Sequence, residues 1–216
     1  MLKPDIEMTM AEFIFQKKIR LKIDAQKDCQ DKQNFLRALN LNRSIDSFSE
    51  IKKFLEQIEK FEYDHGLLTK NQYLAHPYRV ATLLINFIPE VSDEAIMLAI
   101  CHNMIEVSGI SQKLIKELGE NLFNFVKVLT VDRECQWDWG YKKNYYLEIE
   151  KYKETRLIKI FDKLDNIFTL SMNADSEIKK KYLYEISTFL MPWVADDVPA
   201  LYEQFNQTIE FNHQLI

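Results

Sequence analysis

Glycine and proline are scarce: four and five residues among 216. With so few chain breakers, and with apolar residues recurring at three and four positions rather than two, the chain reads as all-α. Cysteine is nearly absent too. Cys29, Cys101 and Cys135 are far apart with no CxxC pair, which excludes both a disulfide framework and a thiolate zinc site and points to a reducing compartment. No uninterrupted apolar run of about 18 residues occurs. The opening "MLKPDIEMTM" lacks the apolar stretch of a signal peptide, so a soluble cytoplasmic protein without a membrane partner is the expectation. Positive charge is not in excess. With 28 Lys and Arg against 33 Asp and Glu, the net charge of -5 gives no footprint for nucleic acid, although a local basic patch would still serve an anionic small molecule.

What remains is 47% hydrophobic and 28% charged, enough for one compact core. Residues 49–216 are read as that core and residues 1–48 as a charged helical extension without a core of its own. In "SFSEIKKFLEQIEKFEYDHG", Ile51, Phe54, Leu55, Ile58 and Phe61 share one face behind serine caps, and Gly66 closes the helix. In "HPYRVATLLINFIPE", Pro77 suits a first helical position, which puts His76 at a helix mouth with Val80, Leu83, Leu84 and Phe87 inward. "SDEAIMLAICHNMIE" opens on a serine cap and runs apolar to His102. "SQKLIKELGENLFNFVKVLT" is two helices broken at Gly119, with Leu122, Phe125, Val126 and Leu129 inward. "VDRECQWDWGYKKNYY" has no clear period and reads as a loop. "KETRLIKIFDKLDNIFTLSM" is a long helix with the stripe Leu157, Ile160, Phe161, Leu164 and Phe168, and two further helices complete the domain.

Three of the four histidines, His65, His76 and His102, are candidates for chemistry. His213 lies near the C-terminus and carries no assigned role, and His65, in "YDHG", is equally well a cation favoured at a helix end. His76 alone is an ordinary polar residue at a helix start. His102 and Glu106 stand four apart, so on one helix an imidazole would hold a metal while a carboxylate reached a nearby water. Asp162 beside an apolar stripe needs a partner, and a surface ion pair to Lys159 or Lys163 explains it as well as a metal does. Trp137, Trp139 and Tyr141 suit either base stacking or packing on the domain surface.

Taken in order, "YLAHPYRVATLL", "SDEAIMLAICHNMIEVSG", "LGENLFNFVKVLT" and "RLIKIFDKLDNIFTL" resemble the HD-domain hydrolases of the RelA/SpoT type across roughly residues 60–195. The resemblance implies an HD-domain helical bundle with one divalent metal, commonly manganese, on His76, His102, Asn103 and Asp162. It implies Glu106 as the residue that orients or activates water. Asn166 and Thr169 would lie near the nucleotide, with Lys159 beside Asp162, and Tyr73 and Lys70 would also face the substrate. The implied reaction is removal of the 3′-pyrophosphate from guanosine tetra- and pentaphosphate or a related nucleotide.

Three departures stand against the pattern. Asn103 replaces the aspartate of the His-Asp pair, so a neutral amide oxygen replaces a charged ligand. Val107 replaces the second of two acids, removing a group whose acid–base contribution is usually about 10² to 10⁴-fold. The segment "HGLLTKNQYLAHP" has no arginine for phosphate, only Lys70. Two readings follow, a metal-dependent phosphohydrolase and a catalytically inactive nucleotide-binding or regulatory protein. A third, an HD-type nucleotidase or oxygenase, ranks behind them because such oxygenases use further histidines.

Overall fold

The computed structural model describes residues 7–21, 30–63, 69–107 and 111–215. The described residues form thirteen α-helices and no strand. These are α1 (Met10–Leu21), α2 (Gln30–Asn42), α3 (Ile45–Ile58), α4 (Lys70–Phe87), α5 (Asp93–Cys101), α6 (Met104–Val107) and α7 (Ser111–Leu118), followed by α8 (Glu120–Leu129), α9 (Trp139–Glu150), α10 (Lys153–Ile167), α11 (Ser176–Glu185), α12 (Met191–Asp197) and α13 (Tyr202–Leu215). Among them no helix is long and apolar enough to cross a membrane. Two compact units arise, residues 24–158 and residues 1–23 with 159–216. Residue 48 lies inside α3.

In the unit 24–158, α2 buries Phe35, Ala38 and Leu39, and the Phe35 ring stacks on Tyr78 of α4 with centroids 5.8 Å apart. Helix α3 starts behind Ser44, whose hydroxyl accepts the Ser47 amide at 3.2 Å, so the cap lies earlier than the serines of "SFSE". Its stripe of Ile51, Phe54, Leu55 and Ile58 is buried as the spacing predicts, and Phe61 is buried just beyond it. Gly66 and His65 lie outside the described residues.

Helix α4 corrects the sequence reading. It begins at Lys70 because Thr69 and Gln72 form a capping box, satisfying two amides reciprocally, and Pro77 therefore sits inside the helix. His76 is accordingly two turns in, not at the mouth. The buried face is Tyr73, Pro77, Val80, Ala81 and Leu84, while Leu83 and Phe87 are only half-buried.

The next helix is also interrupted. Ser92 caps α5 by accepting the Ala95 amide, but α5 stops at Cys101, His102 and Asn103 form a turn, and α6 restarts at Met104. Two tight bonds account for the break: the Glu106 amide donates to the Asn103 carbonyl at 3.1 Å, and the His102 ring takes the Ala99 carbonyl at 2.7 Å. His102 and Glu106 therefore do not share one continuous helix.

Helices α7 and α8 meet at Gly119, whose φ of 151° and ψ of 137° are reserved for glycine, with open space where a Cβ would stand. The cost of a side chain there is backbone strain, not a clash. Gly119→Ala is expected to cost about 1–3 kcal/mol, read as a lower urea midpoint at unchanged slope. A midpoint equal to the parent's would refute this account of the α7–α8 break. Leu122, Val126 and Leu129 of α8 are buried, and Phe125 is half-buried.

The segment read as a loop is one only to Asp138. That side chain accepts the Tyr141 amide at 2.8 Å and caps α9. The buried stripe of α9 is Lys142, Tyr145, Tyr146 and Ile149, at helical spacing but headed by a lysine, which hides the period from a hydrophobicity reading.

In the other unit, Phe13 of α1 is buried between Phe168 and Phe211, at 5.6 Å and 5.7 Å between centroids, and the Met8 amide donates to Gln207 at 2.8 Å. The first 48 residues, read as lacking a core of their own, thus place Phe13 in one core and Phe35 in the other. The predicted α10 stripe, Leu157, Ile160, Phe161 and Leu164, is buried, together with Phe168 just past its end. Pro192 stands in the first turn of α12, behind a π-helical stretch, Ile186–Leu190, that accommodates its missing amide.

Candidate functional site

Two histidines meet in the unit 24–158. His76 projects from α4 and is half-buried, and His102 at the end of α5 is fully buried. Their rings pack edge to face with centroids 5.4 Å apart and planes at 71°. That spacing suits one nitrogen from each reaching a shared ion through bonds of about 2.1 Å. The tautomer of His102 follows from its neighbour. Nδ1 lies 2.7 Å from the Ala99 carbonyl, which only accepts, so Nδ1 carries the hydrogen and Nε2 the lone pair. A ring anchored to a backbone carbonyl through its other nitrogen is the usual arrangement of a metal-ligating histidine.

Asn103 is half-buried in the turn after His102. The Glu106 side chain, 3% exposed, accepts the Val131 amide at 3.0 Å on one oxygen and the Arg133 guanidinium on the other. Both oxygens are thus already engaged by the loop that follows α8. Tyr73, one turn before His76 on α4, is buried against Tyr63 with ring centroids 4.9 Å apart. Burial pushes its phenol well above the ordinary value, the neighbouring Tyr63, Glu106 and Cys101 add to this, and Arg133 opposes it. Tyr73 therefore remains a hydroxyl donor at neutral pH. Lys70 points elsewhere: its ammonium donates to the Glu59 carbonyl at 2.8 Å and lies 5.8 Å from the centre of the Tyr63 ring.

In the unit of 159–216, Asp162 is 4% exposed and both its oxygens are engaged. The Lys159 ammonium is 3.0 Å from Oδ2, and the Asn166 amide donates to Oδ1 at 2.7 Å. The pairing with Lys159 is buried, not the surface pair that the sequence also allowed. Thr169 donates to the Asn166 carbonyl at 3.2 Å. Behind them, burial first and the charges of Asp162 and Glu185 second raise the Tyr182 phenol well above its ordinary value, while Lys159 and a hydrogen bond with Asn166 lower it.

Arg133 is the residue that reading the sequence overlooked. It stands in "VDREC", outside the four motif segments, and only its position in a short turn between two helices marked it.

No protein-family model matches the sequence. No curated protein matches it either. The fold does have a likeness among solved structures: a metazoan ortholog of SpoT, described as hydrolysing ppGpp and playing a role in starvation responses, superposes with a TM-score of 0.58 at 18% identity, covering 81% of this chain and 98% of that one. The chain is thus similar in fold to that protein, and its described residues are all-α.

Proposed function

We propose that the protein is a divalent-metal-dependent phosphohydrolase acting on a nucleotide that carries a pyrophosphate, an alarmone of the ppGpp kind or a close relative. The ligands are His76, His102, Asn103 and Asp162, and the ion is manganese. His76 and His102 offer imidazole nitrogens and Asp162 a carboxylate oxygen as ligand atoms. The observation that carries the reading is the His102 ring, buried, edge-on to His76, and held by Ala99 with its lone pair on Nε2. These donors suit a hard or borderline cation: two imidazoles, a carboxylate and an amide oxygen, with no thiolate among them.

A divalent ion held there supplies positive charge to the phosphoryl oxygens and acidifies water. The side chains do the rest. Tyr73, kept protonated by burial, donates to a phosphoryl oxygen. Glu106 takes a proton from the attacking water, alone because Val107 brings no second carboxylate. Lys159 neutralises Asp162, Asn166 fixes the Asp162 carboxylate, and Thr169, bonded to the Asn166 carbonyl, holds the nucleotide against α10 together with Asn166. The test is pyrophosphate release from guanosine tetraphosphate by the purified chain with manganese, then with a chelator. The reading expects release that stops on chelation and returns with manganese. Release indifferent to the chelator would remove the metal from the account.

The second reading, a nucleotide-binding protein without turnover, is favoured by one observation: both Glu106 oxygens are taken by Arg133 and Val131. It expects guanosine tetraphosphate to bind measurably and to remain intact after prolonged incubation.

A further inference from the structure

A pyrophosphate brings several negative charges, and a site for it needs a cation whose donors face the solvent side. Four cations of the unit 24–158 are held by other groups. Lys70 is drawn to the end of α3 by the Glu59 carbonyl. Lys142 is buried 5.5 Å from the centre of the Trp137 ring, Arg79 pairs with Asp31 at 3.0 Å, and Arg43 pairs with Asp93 at 3.2 Å. Arg133 differs: its side chain is 60% exposed and its guanidinium touches the carboxylate placed in the site, Glu106.

We infer that Arg133 binds the pyrophosphate of the substrate, presented by a loop that Glu106 itself organises. The inference rests on the phosphohydrolase reading for the substrate class but not for the geometry. Glu106 holds the loop at two points, the Val131 amide and the Arg133 guanidinium. Tyr141 adds a third by accepting the Asp132 amide at 2.7 Å, and Asp132 accepts the Glu134 amide at 2.9 Å. Arg133 is thus carried on a built turn and not on a free strand of chain. A guanidinium has five N–H donors in a planar fork, and contact with one carboxylate oxygen leaves an outward edge able to take a phosphate bidentately. Replacing Arg133 by lysine would keep a charge but lose the fork.

The test is calorimetric binding of inorganic pyrophosphate and of guanosine tetraphosphate to the full chain at low salt, metal-depleted and with manganese. The proteins compared are wild type, Arg133→Ala and Arg133→Lys, each with its thermal midpoint recorded. Arg133→Ala is expected to weaken pyrophosphate binding about 10 to 100-fold, with Arg133→Lys between it and wild type. If the alanine variant unfolds, the lysine variant alone carries the comparison. Where the wild type turns over the nucleotide, KM should rise more than kcat falls. Equal pyrophosphate affinity in wild type and both variants, including no binding by any of them, overturns the inference. Turnover by wild type with an unchanged KM in Arg133→Ala overturns it while leaving the hydrolase standing. Arg133-dependent binding without turnover supports it and removes the hydrolase.

Discussion

His102→Ala is expected to lose bound manganese and pyrophosphate release together, each by about 100-fold or more. Removing a partner behind a metal-ligating histidine already costs about 10 to 100-fold in affinity or activity, and this substitution removes the ligand itself. The effect should be large because the remaining set would be thin. Asn103 brings an oxygen without charge, so Asp162 is the only anionic ligand proposed, and losing one of two imidazoles leaves little to hold the ion against water. His102 is fully buried, so alanine also opens a cavity. His102→Asn controls for this by keeping a polar side chain, and circular dichroism on both variants separates lost folding from lost metal. Manganese counted per folded chain is the deciding measurement. Wild-type stoichiometry and activity in a folded His102→Ala protein would refute the assignment of His102.

The fold was legible wherever a helix announced itself by a cap, a glycine break or an unbroken stripe. Ser92 before α5, Gly119 between α7 and α8, and the stripe of α10 are the respective cases. Reading failed where one side chain contradicted its neighbours. Pro77 looks like a helix start, yet the Thr69 and Gln72 capping box, seven residues of ordinary sequence earlier, outweighs it. Lys142 heads the buried stripe of α9 and so erases its period. The charge of residues 10–42 concealed Phe13 and Phe35, each the anchor of a packed aromatic pair.

The candidate site was legible in its residues but not in its connections. Nothing in "CHNMIE" shows that the helix breaks at His102 and Asn103, because the break depends on a ring taking the Ala99 carbonyl. Nor does spacing along the chain reveal that Glu106 faces Arg133, which is 27 residues away and reaches it through a loop. Long-range pairs of this kind depend on tertiary packing, to which a local pattern is blind.

Lys163→Met is expected to destabilise the protein by about 3 kcal/mol, a fall of about 6 to 12 °C in the thermal midpoint for a chain of this size. Helix α10 is unusual in burying four charged side chains, Lys159, Asp162, Lys163 and Asp165. Each has a partner of opposite charge: Lys159 with Asp162, Arg20 with Asp165 at 2.8 Å, and Lys163 with Glu185 at 3.1 Å. Lys163 is the most informative of these to remove, because its ammonium both meets Glu185, whose side chain is 1% exposed, and lies 4.0 Å from the centre of the Tyr182 ring. Methionine keeps the apolar stem and deletes the charge. Glu185 then loses its cation in a place that water hardly reaches, and that desolvated carboxylate, not the lost attraction, sets the size of the effect. Adding Glu185→Leu to Lys163→Met should therefore recover most of the stability, since a buried pair exchanged for apolar groups is often neutral. A single variant within about 1 kcal/mol of wild type, or a double variant worse than the single, would refute the buried-pair account. Because neither residue is assigned to the metal or the nucleotide, manganese bound per folded chain should stay as in wild type, which separates the charge network that holds α11 on α10 from the chemistry proposed at Asp162 on the same helix.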